Sequence, residues 1–241
     1  MYITACCHTD PGLVRSHNED VCAVDEDHHC FLIADGMGGA AAGEVASGIM
    51  KETVQELFSQ WEYTSDEGLK ELIRNCFQTA NASILAHIEK EPSHAGMGCT
   101  AELLAIGDKN FILGHVGDSR CYRLREGKLE QLSRDHTLVQ IQLDQGLINR
   151  EQARNHKLKN VIIRSVGNKE ELEVDIIHGA VLPGDIFLLC SDGLSGMVDD
   201  EKIQEIMSYN GPLPLKTTML VDQANYSGGK DNVSVVLVEA K

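Results

Sequence analysis

The feature of this sequence that most constrains its fold is a change of hydrophobic periodicity near residue 99. Before it, the segments 44–61 and 69–88 carry apolar residues at helical spacing, which predicts two consecutive amphipathic helices. From Cys99 to Leu132 the pattern changes to short β-like runs, AELLAI, NFILGHV, RCYRLRE and KLEQLS, separated by the turn segments GDKN, GDS and EG. The change predicts a helix pair followed by a meander of antiparallel strands.

The rest of the chain repeats this separation of strands and helices. Strand patterns return at 173–179 and 185–190, helix patterns lie at 199–207 and 213–225, and a last strand pattern lies at 233–239. Since the helices come in consecutive pairs and hairpins join the strands, the sequence predicts β-sheets packed together and covered by helices, not an alternating βαβ fold. At 241 residues the chain is most simply one domain, spanning 1–241.

The charge balance excludes two classes of partner. Acidic residues outnumber basic ones by 37 to 21, which gives a formal net charge of −16. Proteins that bind nucleic acids or anionic membranes depend on clustered Lys and Arg, so we expect neither partner. A protein that gathers carboxylates for cations fits this charge, although an ordinary soluble acidic surface accounts for most of it.

The cysteines and the N-terminal segment indicate a cellular location. Eight cysteines are scattered without a C-x-x-C pair and mostly lie inside apolar runs, which is typical of reduced, intracellular thiols. The N-terminal residues lack the basic and apolar regions of a signal peptide, and no stretch approaches the roughly 18 apolar residues of a membrane span. We therefore expect a cytoplasmic protein, and we expect it to be a monomer.

Five aspartates lie where an apolar, strand-like run begins or ends. They are Asp20, Asp35, Asp118, Asp192 and Asp231. If the strands share a sheet edge, the five carboxyl groups converge, and carboxylates held together in an apolar setting raise one another's pKa unless a cation binds. Carboxylate oxygens suit Mg²⁺ and Mn²⁺, and a pair of such ions can activate water for in-line displacement at phosphorus.

Other interpretations of these acids are weaker. Any single Asp-Gly pair is more often an ordinary turn, so the prediction depends on the whole set. Zinc is disfavoured because the Cys and His residues show no closed ligand spacing, and an EF-hand is excluded because its loop pattern is missing. A cysteine-nucleophile phosphatase is also disfavoured, since no Cys is followed six positions later by Arg.

Seven segments occur in order along nearly the whole chain: 12-GLVRSHNED-20, 35-DGMGG-39, 98-GCTA-101, 117-GDSR-120, 135-DH-136, 191-SDG-193 and 231-DNVS-234. Their combination resembles the metal-dependent protein Ser/Thr phosphatases of type 2C, in the compact form typical of bacteria. The resemblance implies an α+β fold, an antiparallel β-sandwich flanked on both faces by pairs of α-helices (α-β-β-α), with a flap-like insertion at about 138–164.

The same resemblance implies a reaction. It is the hydrolysis of phosphoserine and phosphothreonine in proteins, themselves substrates of a Ser/Thr kinase, by a metal-bridged water or hydroxide without a phosphoenzyme intermediate. The implied cofactors are Mn²⁺ or Mg²⁺, as two tight ions and a third, weaker one. A pseudophosphatase that only docks partners, and a phosphatase for small metabolites or a sporulation-type regulator, are the alternatives.

Roles for individual residues follow from the resemblance. The implied metal ligands, directly or through water, are Glu19, Asp20, Asp35, Gly36, Asp118, Asp192 and Asp231. Asp35 would bridge the tight ions and Gly36 would offer its carbonyl, while Glu19 and Asp20 would hold metal-bound waters. Asp118 would support the third ion together with Asp192. Arg15 would clamp the substrate phosphate through its bidentate guanidinium, which makes Arg15, Asp35 and Asp192 the implied catalytic set.

Three positions leave questions open. Eukaryotic relatives carry His directly after the first Asp-Gly, as a proposed proton donor, whereas this chain has Met37, which cannot donate a proton. Cys99 stands where the family has Ser or Thr, a small change. His136, held by Asp135, is either a functional or a purely structural residue.

Overall fold

The computed structural model describes residues 2–38 and 42–241. The strands of this part of the chain form two antiparallel sheets, one of which has five strands. In spatial order the strands of this sheet are β1 (Ile3–Asp10), β11 (Val233–Ala240), β10 (Ile186–Cys190), β7 (Arg120–Arg125) and β8 (Lys128–Gln131), numbered in chain order. The sheet therefore joins the first and last strands of the chain side by side.

The second sheet is also antiparallel. Its spatial order is β2 (Asp20–Asp25), β3 (Cys30–Met37), β5 (Ala101–Ile106), β6 (Asn110–Val116) and β9 (Asp175–Ala180), and the short β4 (Gly98–Cys99) pairs with the end of β3. Hairpins between β2 and β3 and between β5 and β6 build most of this sheet from neighbours in sequence.

Helices cover the outer face of each sheet. The helices α1 (Ala42–Ser59) and α2 (Asp66–Lys90) pack on the six-stranded sheet, and α5 (Asp192–Ser195), α6 (Asp200–Ser208) and α7 (Leu213–Tyr226) pack on the five-stranded sheet. The short helices α3 (Leu138–Asp144) and α4 (Arg150–Arg154) lie in the expected flap. No helix within residues 2–38 and 42–241 is both long and apolar enough to cross a membrane.

The core is divided into three layers of apolar side chains. The middle layer lies between the sheets and includes Phe31, Phe111 and Phe187, all almost completely buried. The outer two layers lie between each sheet and its helices, as with Phe77 of α2 and Leu220 of α7. This arrangement confirms the predicted α+β sandwich flanked on both faces by helices.

The sequence did not predict β1, β4 or α5. In β1 the sequence ITACCHTD mixes apolar and polar residues. The strand tolerates this mixture because it lies at a sheet edge and most of its residues are only partly buried. The polar segment 137–160 contains α3 and α4, whose N-caps are the side chains of Thr137 and Asn149. Of the motif 35-DGMGG-39, Gly39 lies outside the described residues.

Candidate metal and phosphate site

Strand pairing brings the first two acids together. β2 begins at Asp20, which lies directly opposite Asp35 in the antiparallel pair of β2 and β3. The backbone of Asp35 is also fixed on its other side: its carbonyl accepts from the Thr100 N–H at 2.9 Å, and its N–H donates to the Thr100 hydroxyl at 3.3 Å. Both acids therefore start from rigid backbone positions.

The other three aspartates lie in connections at the same end of the sandwich. Asp118 lies between β6 and β7, Asp192 begins α5 directly after β10, and Asp231 lies just before β11. The charges of all of them, together with that of Asp20, act on the Asp35 carboxyl group. The structure thus gathers the five aspartates that sequence analysis singled out.

Burial and mutual repulsion raise the pKa of four of these carboxyl groups. Desolvation by burial is the largest cause in each case, and neighbouring aspartates add to it. The pKa of Asp118 rises to about 8, that of Asp20 to about 7 and that of Asp192 to about 6. The pKa of Asp35 lies well above its ordinary value. Such groups retain protons unless a cation compensates their charge.

We expect the metal-free protein to lose stability as the pH rises. An unfolded Asp titrates near ~3.9, whereas the folded Asp20, Asp118 and Asp192 titrate at about 7, 8 and 6. Between these limits the folded state holds more protons, so the free energy of unfolding falls as the pH rises. The stabilisation is fully present below the unfolded pKa and is lost above the folded values. Thermal melts in EDTA across this range measure the effect.

Divalent cations should reverse this loss. A cation that binds only the folded acids raises the melting temperature by mass action, and the rise should be largest at alkaline pH, where the cluster is ionised. In Asp192→Asn the rise with Mn²⁺ should be smaller. The same rise in wild type and variant, or none in either, would contradict a metal site at these acids.

Ser191 anchors Asp20, and sequence analysis did not identify it. Its hydroxyl donates to Asp20 Oδ2 at 2.8 Å and accepts from the Ser234 backbone N–H at 3.0 Å. Asp20 Oδ1 is buried and has no hydrogen-bond partner among residues 2–38 and 42–241. One oxygen is therefore fixed by protein, and the other remains available to a cation or to water on a cation.

The backbone around Gly36 leaves no room for a side chain. A Cβ at this position would lie 2.2 Å from the Gly43 carbonyl oxygen and 2.6 Å from that of Glu19. The Glu19 backbone is held in turn by Asn232, whose Oδ1 accepts from the Glu19 N–H at 2.9 Å. Asn232, a second residue that sequence analysis missed, also donates to the carbonyl groups of Pro11 and His17. It thus ties the loop that carries Arg15 and Glu19 to the start of β11.

Arg15 lies beside the acid cluster. Its Nη2 donates to Asp231 Oδ2 at 2.8 Å, and its side chain is 54% exposed, so the other N–H donors can reach a ligand from solvent. The position beside the acids agrees with the phosphate-binding role that the sequence predicts. The ion pair also shows that Arg15 and a cation would compete for Asp231.

His136 supports the turn that carries Asp118, but Asp135 does not hold it as expected. The backbone N–H of His136 donates to the Gly117 carbonyl at 2.7 Å, and the His136 Nδ1 accepts from the Gly117 N–H at 3.0 Å. Burial, together with the charges of His115 and Arg164, lowers the pKa of His136 to about 4. Asp135 instead accepts three hydrogen bonds from Arg120, at 2.7 to 3.1 Å, because the guanidinium offers a bidentate partner.

A buried ion pair lies behind His136. Burial alone would lower the pKa of His115, but the charge and hydrogen bond of Glu102, with the Arg134 carbonyl and the charge of Asp135, together outweigh it and raise the pKa to about 9. His115 Nδ1 contacts Glu102 Oε1, and both side chains are fully buried. The rings of His115 and His136 pack at a centroid distance of 4.4 Å, so the charged pair supports the turn at Asp118. The motif segments gave no sign of this pair.

The donor set fits a hard divalent cation. Carboxylate oxygens dominate it. One of them, at Asp20, is buried and finds no partner in the described part of the chain, and the close backbone approach at Gly36 adds a carbonyl. As the side chains stand, no group of three or more His, Cys, Asp or Glu residues in 2–38 and 42–241 could hold an ion. Ser191 binds one oxygen of Asp20 and Arg15 binds Asp231, so coordination requires these side chains to rearrange.

A groove of about 760 Å³ opens beside the acids. Asp118 and Asp192 line it on the sandwich side, and Lys159 of the flap lines it on the other. Lys159 also acts electrostatically on Asp192, lowering a pKa that burial and Asp231 raise. The groove is open enough to admit an extended chain bearing an anionic group.

Comparisons with known proteins agree on one family. The family model described as Protein phosphatase 2C matches residues 14–214. Serine/threonine phosphatase stp of Listeria monocytogenes is 37% identical over 238 residues, which cover 96% of this chain and 93% of that protein. Serine/threonine protein phosphatase PstP of Mycobacterium tuberculosis is 37% identical over 234 residues, covering 96% of this chain and 44% of that protein.

Solved structures agree in fold as well. The crystal structure of the Mycobacterium tuberculosis serine/threonine phosphatase PstP/Ppp superposes with a TM-score of 0.94 at 35% identity, with full coverage of both chains. The catalytic domain of PstP in complex with two manganese ions superposes with a TM-score of 0.90 at 34% identity, covering 98% of this chain and 97% of that one. This chain belongs to the protein phosphatase 2C family of metal-dependent Ser/Thr protein phosphatases.

Proposed function

We propose that this protein, as one catalytic domain, hydrolyses phosphoserine and phosphothreonine in proteins, with water attacking phosphorus directly and no phosphoenzyme intermediate. The observation that carries the proposal is the group of five aspartates at one end of the sandwich. Two tight Mn²⁺ or Mg²⁺ ions, when bound, would activate the water and stabilise charge on the phosphate. The two manganese ions in the related PstP catalytic domain support this assignment.

The position of each site residue suits a particular role in metal binding. Asp35 lies opposite Asp20 and is acted on by the other four acids, which suits the bridging position between two ions. The Gly36 backbone carbonyl and the carboxylates of Asp192 and Asp231 would complete the ligand set. Glu19 and Asp20 would act through water, and Asp118 with Asp192 would support a weaker third ion.

The substrate phosphate is assigned to Arg15. Arg15 pairs with Asp231, and if Asp231 instead ligated a metal ion, the guanidinium would be free to bind two phosphate oxygens. The polypeptide on either side of the phosphorylated residue would lie in the groove between the sandwich and the flap. Lys159 would then compensate part of the negative charge that the phosphate brings to Asp192.

Arg15→Ala should raise KM for a phosphothreonine peptide by roughly tenfold or more, without weakening Mn²⁺ binding. The guanidinium acts on the phosphate. Its removal also breaks the ion pair with Asp231, which competes with Mn²⁺ for that carboxylate. Steady-state kinetics and Mn²⁺ titration by calorimetry measure the two effects. Arg74→Ala, at an exposed position of α2, is the matched control and should leave both unchanged. Loss of Mn²⁺ binding in Arg15→Ala would show that the phosphate role is wrong.

The reaction itself is tested by phosphate release. Purified protein should release phosphate from a phosphothreonine peptide with Mn²⁺ or Mg²⁺, and EDTA should abolish the release. Small phosphorylated metabolites are assayed in parallel at the same concentration. Turnover of metabolites with none of the peptide would contradict a protein substrate, and metal binding without any turnover would indicate a pseudophosphatase.

The biological setting is inferred from chemistry. We propose that the substrates are proteins phosphorylated by a Ser/Thr kinase, and that the enzyme acts in the cytoplasm as a monomer. All eight cysteines are free thiols, which suits a reducing compartment. The net charge of −16 disfavours nucleic acids and anionic membranes as partners.

A further inference from the structure

The two sheets meet along one open side of the sandwich, where β1 lies against β2. β1 is the edge strand of the five-stranded sheet, and β2 is the edge strand of the six-stranded sheet. Two hydrogen bonds cross this seam: the Ala5 backbone N–H donates to Glu26 Oε1 at 2.8 Å, and Asn18 Nδ2 donates to Thr9 Oγ1 at 2.8 Å. We call this line of contact the β1–β2 seam.

Two cysteines lie in the seam between these hydrogen bonds. Side chains alternate along a strand, so Cys7 shares the face of β1 that carries Ala5, which packs against the layer between the sheets. Cys22 of β2 packs against the same layer. Ala5 faces Glu26 and Thr9 faces Asn18 across the seam, so the antiparallel run of the two strands places Cys7 opposite Cys22. Cys6 faces the opposite way, with its Sγ 3.7 Å from Thr217 Oγ1 of α7.

The two thiols are not equivalent. Cys7 is exposed, whereas Cys22 is partly buried. The interaction with Cys22 and the charge of Lys51 together lower the pKa of the Cys7 thiol to about 6 against the opposing effect of burial. Cys7 is therefore an accessible thiolate at neutral pH, with a second sulfur already beside it. This is the arrangement of an attacking and a resolving cysteine.

We propose that Cys7 and Cys22 form an oxidation site that closes into a disulfide across the β1–β2 seam, with hydrogen peroxide as oxidant. The Cys7 thiolate attacks the O–O bond, takes one oxygen as a sulfenic acid and releases hydroxide, which becomes water. The Cys22 sulfur then attacks the Cys7 sulfur, the S–O bond breaks, and a second water leaves. Two thiols lose two electrons and two protons, and one peroxide becomes two waters.

The disulfide would join the two sheets covalently at their edges. It would close the chain between residues 7 and 22, which reduces the freedom of the unfolded state and should raise the melting temperature. That segment carries Arg15, Glu19 and Asp20. The cross-link would therefore restrain the loop that brings these residues to the metal and phosphate site.

Trypsin provides a direct test, because it cuts after Arg15 and Lys51 and so separates Cys7 from Cys22. The full chain is reduced, treated with hydrogen peroxide, alkylated with N-ethylmaleimide under denaturing conditions, digested and analysed by mass spectrometry. We expect peptide 1–15 joined to peptide 16–51, each carrying one N-ethylmaleimide on its remaining cysteine, at a mass two hydrogens below the sum of the two singly alkylated peptides, with fragmentation placing the link at Cys7 and Cys22. Dithiothreitol should separate the peptides, and the oxidised protein should melt at a higher temperature.

Single substitutions identify the sulfurs. Cys7→Ser and Cys22→Ser should lose the linked peptide, whereas Cys6→Ser, the neighbouring control on the opposite face, should retain it. Melting curves of the reduced variants confirm that each is folded. Sulfinic or sulfonic acid at Cys7 without any linked peptide in the wild type would overturn the proposal. So would a link that survives in Cys7→Ser.

Discussion

Asp35→Asn and Asp192→Asn should each reduce phosphothreonine hydrolysis by roughly a thousandfold or more, because a loss of about 4 kcal/mol of the stabilisation that a metal centre supplies has this effect. Each substitution removes one negative charge from the cation site and leaves an amide of almost the same size. No cavity forms in the core, so both variants should fold. Without metal they should be at least as stable as the wild type, since a neutral amide is not repelled by the remaining acids.

The measurement combines phosphate release at subsaturating Mn²⁺ with melting curves in EDTA. Asp27→Asn is the matched control: it makes the same change of charge at an exposed turn beyond the far end of β2, away from Asp20. The control should keep full activity. Wild-type turnover in Asp35→Asn or Asp192→Asn would exclude that residue from the metal centre, and a lower melting temperature in EDTA would indicate a structural role.

Much of the fold is predictable because its elements carry local patterns. The helical spacing over 44–61 and 69–88 corresponds to α1 and α2, and the four runs between Cys99 and Leu132 correspond to β5 through β8. β1 has no such pattern, because an edge strand buries little of its surface and can tolerate Thr, Cys and His. Its position beside β11 depends on pairing between the two ends of the chain, which periodicity cannot reveal.

The residues of the candidate site were likewise only partly predictable from the sequence. Each aspartate could be identified from the sequence because it adjoins an apolar run, and β2–β3 pairing then places Asp20 opposite Asp35. The residues that support them were missed because their partners are distant in sequence. Ser191 binds an acid on β2, and Glu102 and His115 meet only when β5 and β6 pair. Asp135 likewise has a partner that is distant in sequence, since it binds Arg120 and not the adjacent His136.

The structure narrows the source of the proton that the leaving alkoxide needs. Met37 carries no exchangeable proton. His136 is unsuited to this role, because its Nδ1 accepts the Gly117 N–H, its Nε2 faces Asp175 and Arg164, and its pKa of about 4 keeps it neutral. Arg15 does not release a proton at neutral pH. We propose that water is the donor, because a third cation at Asp118 would lower the pKa of such a water.

Asp118→Ala should slow hydrolysis of a phosphothreonine peptide by roughly a hundredfold, the usual size of a general-acid contribution. An aryl phosphate such as p-nitrophenyl phosphate should lose far less, because its phenolate leaves without protonation. The two tight ions should remain bound, since Asp118 lies in the turn after β6 and not on the β2–β3 pair. Rates on both substrates and Mn²⁺ stoichiometry by calorimetry measure these effects.

The ratio of the two rates is the decisive quantity, because a general loss of folded protein would slow both substrates equally. Asp108→Ala makes the same substitution at an exposed turn before β6, at the opposite end of the strand from Asp118, and should change neither rate. If Asp118→Ala slows both substrates by the same factor with the tight ions in place, Asp118 does not serve leaving-group protonation. Its carboxylate would then act on a step that alkyl and aryl esters share, such as binding of the phosphate or attack on phosphorus.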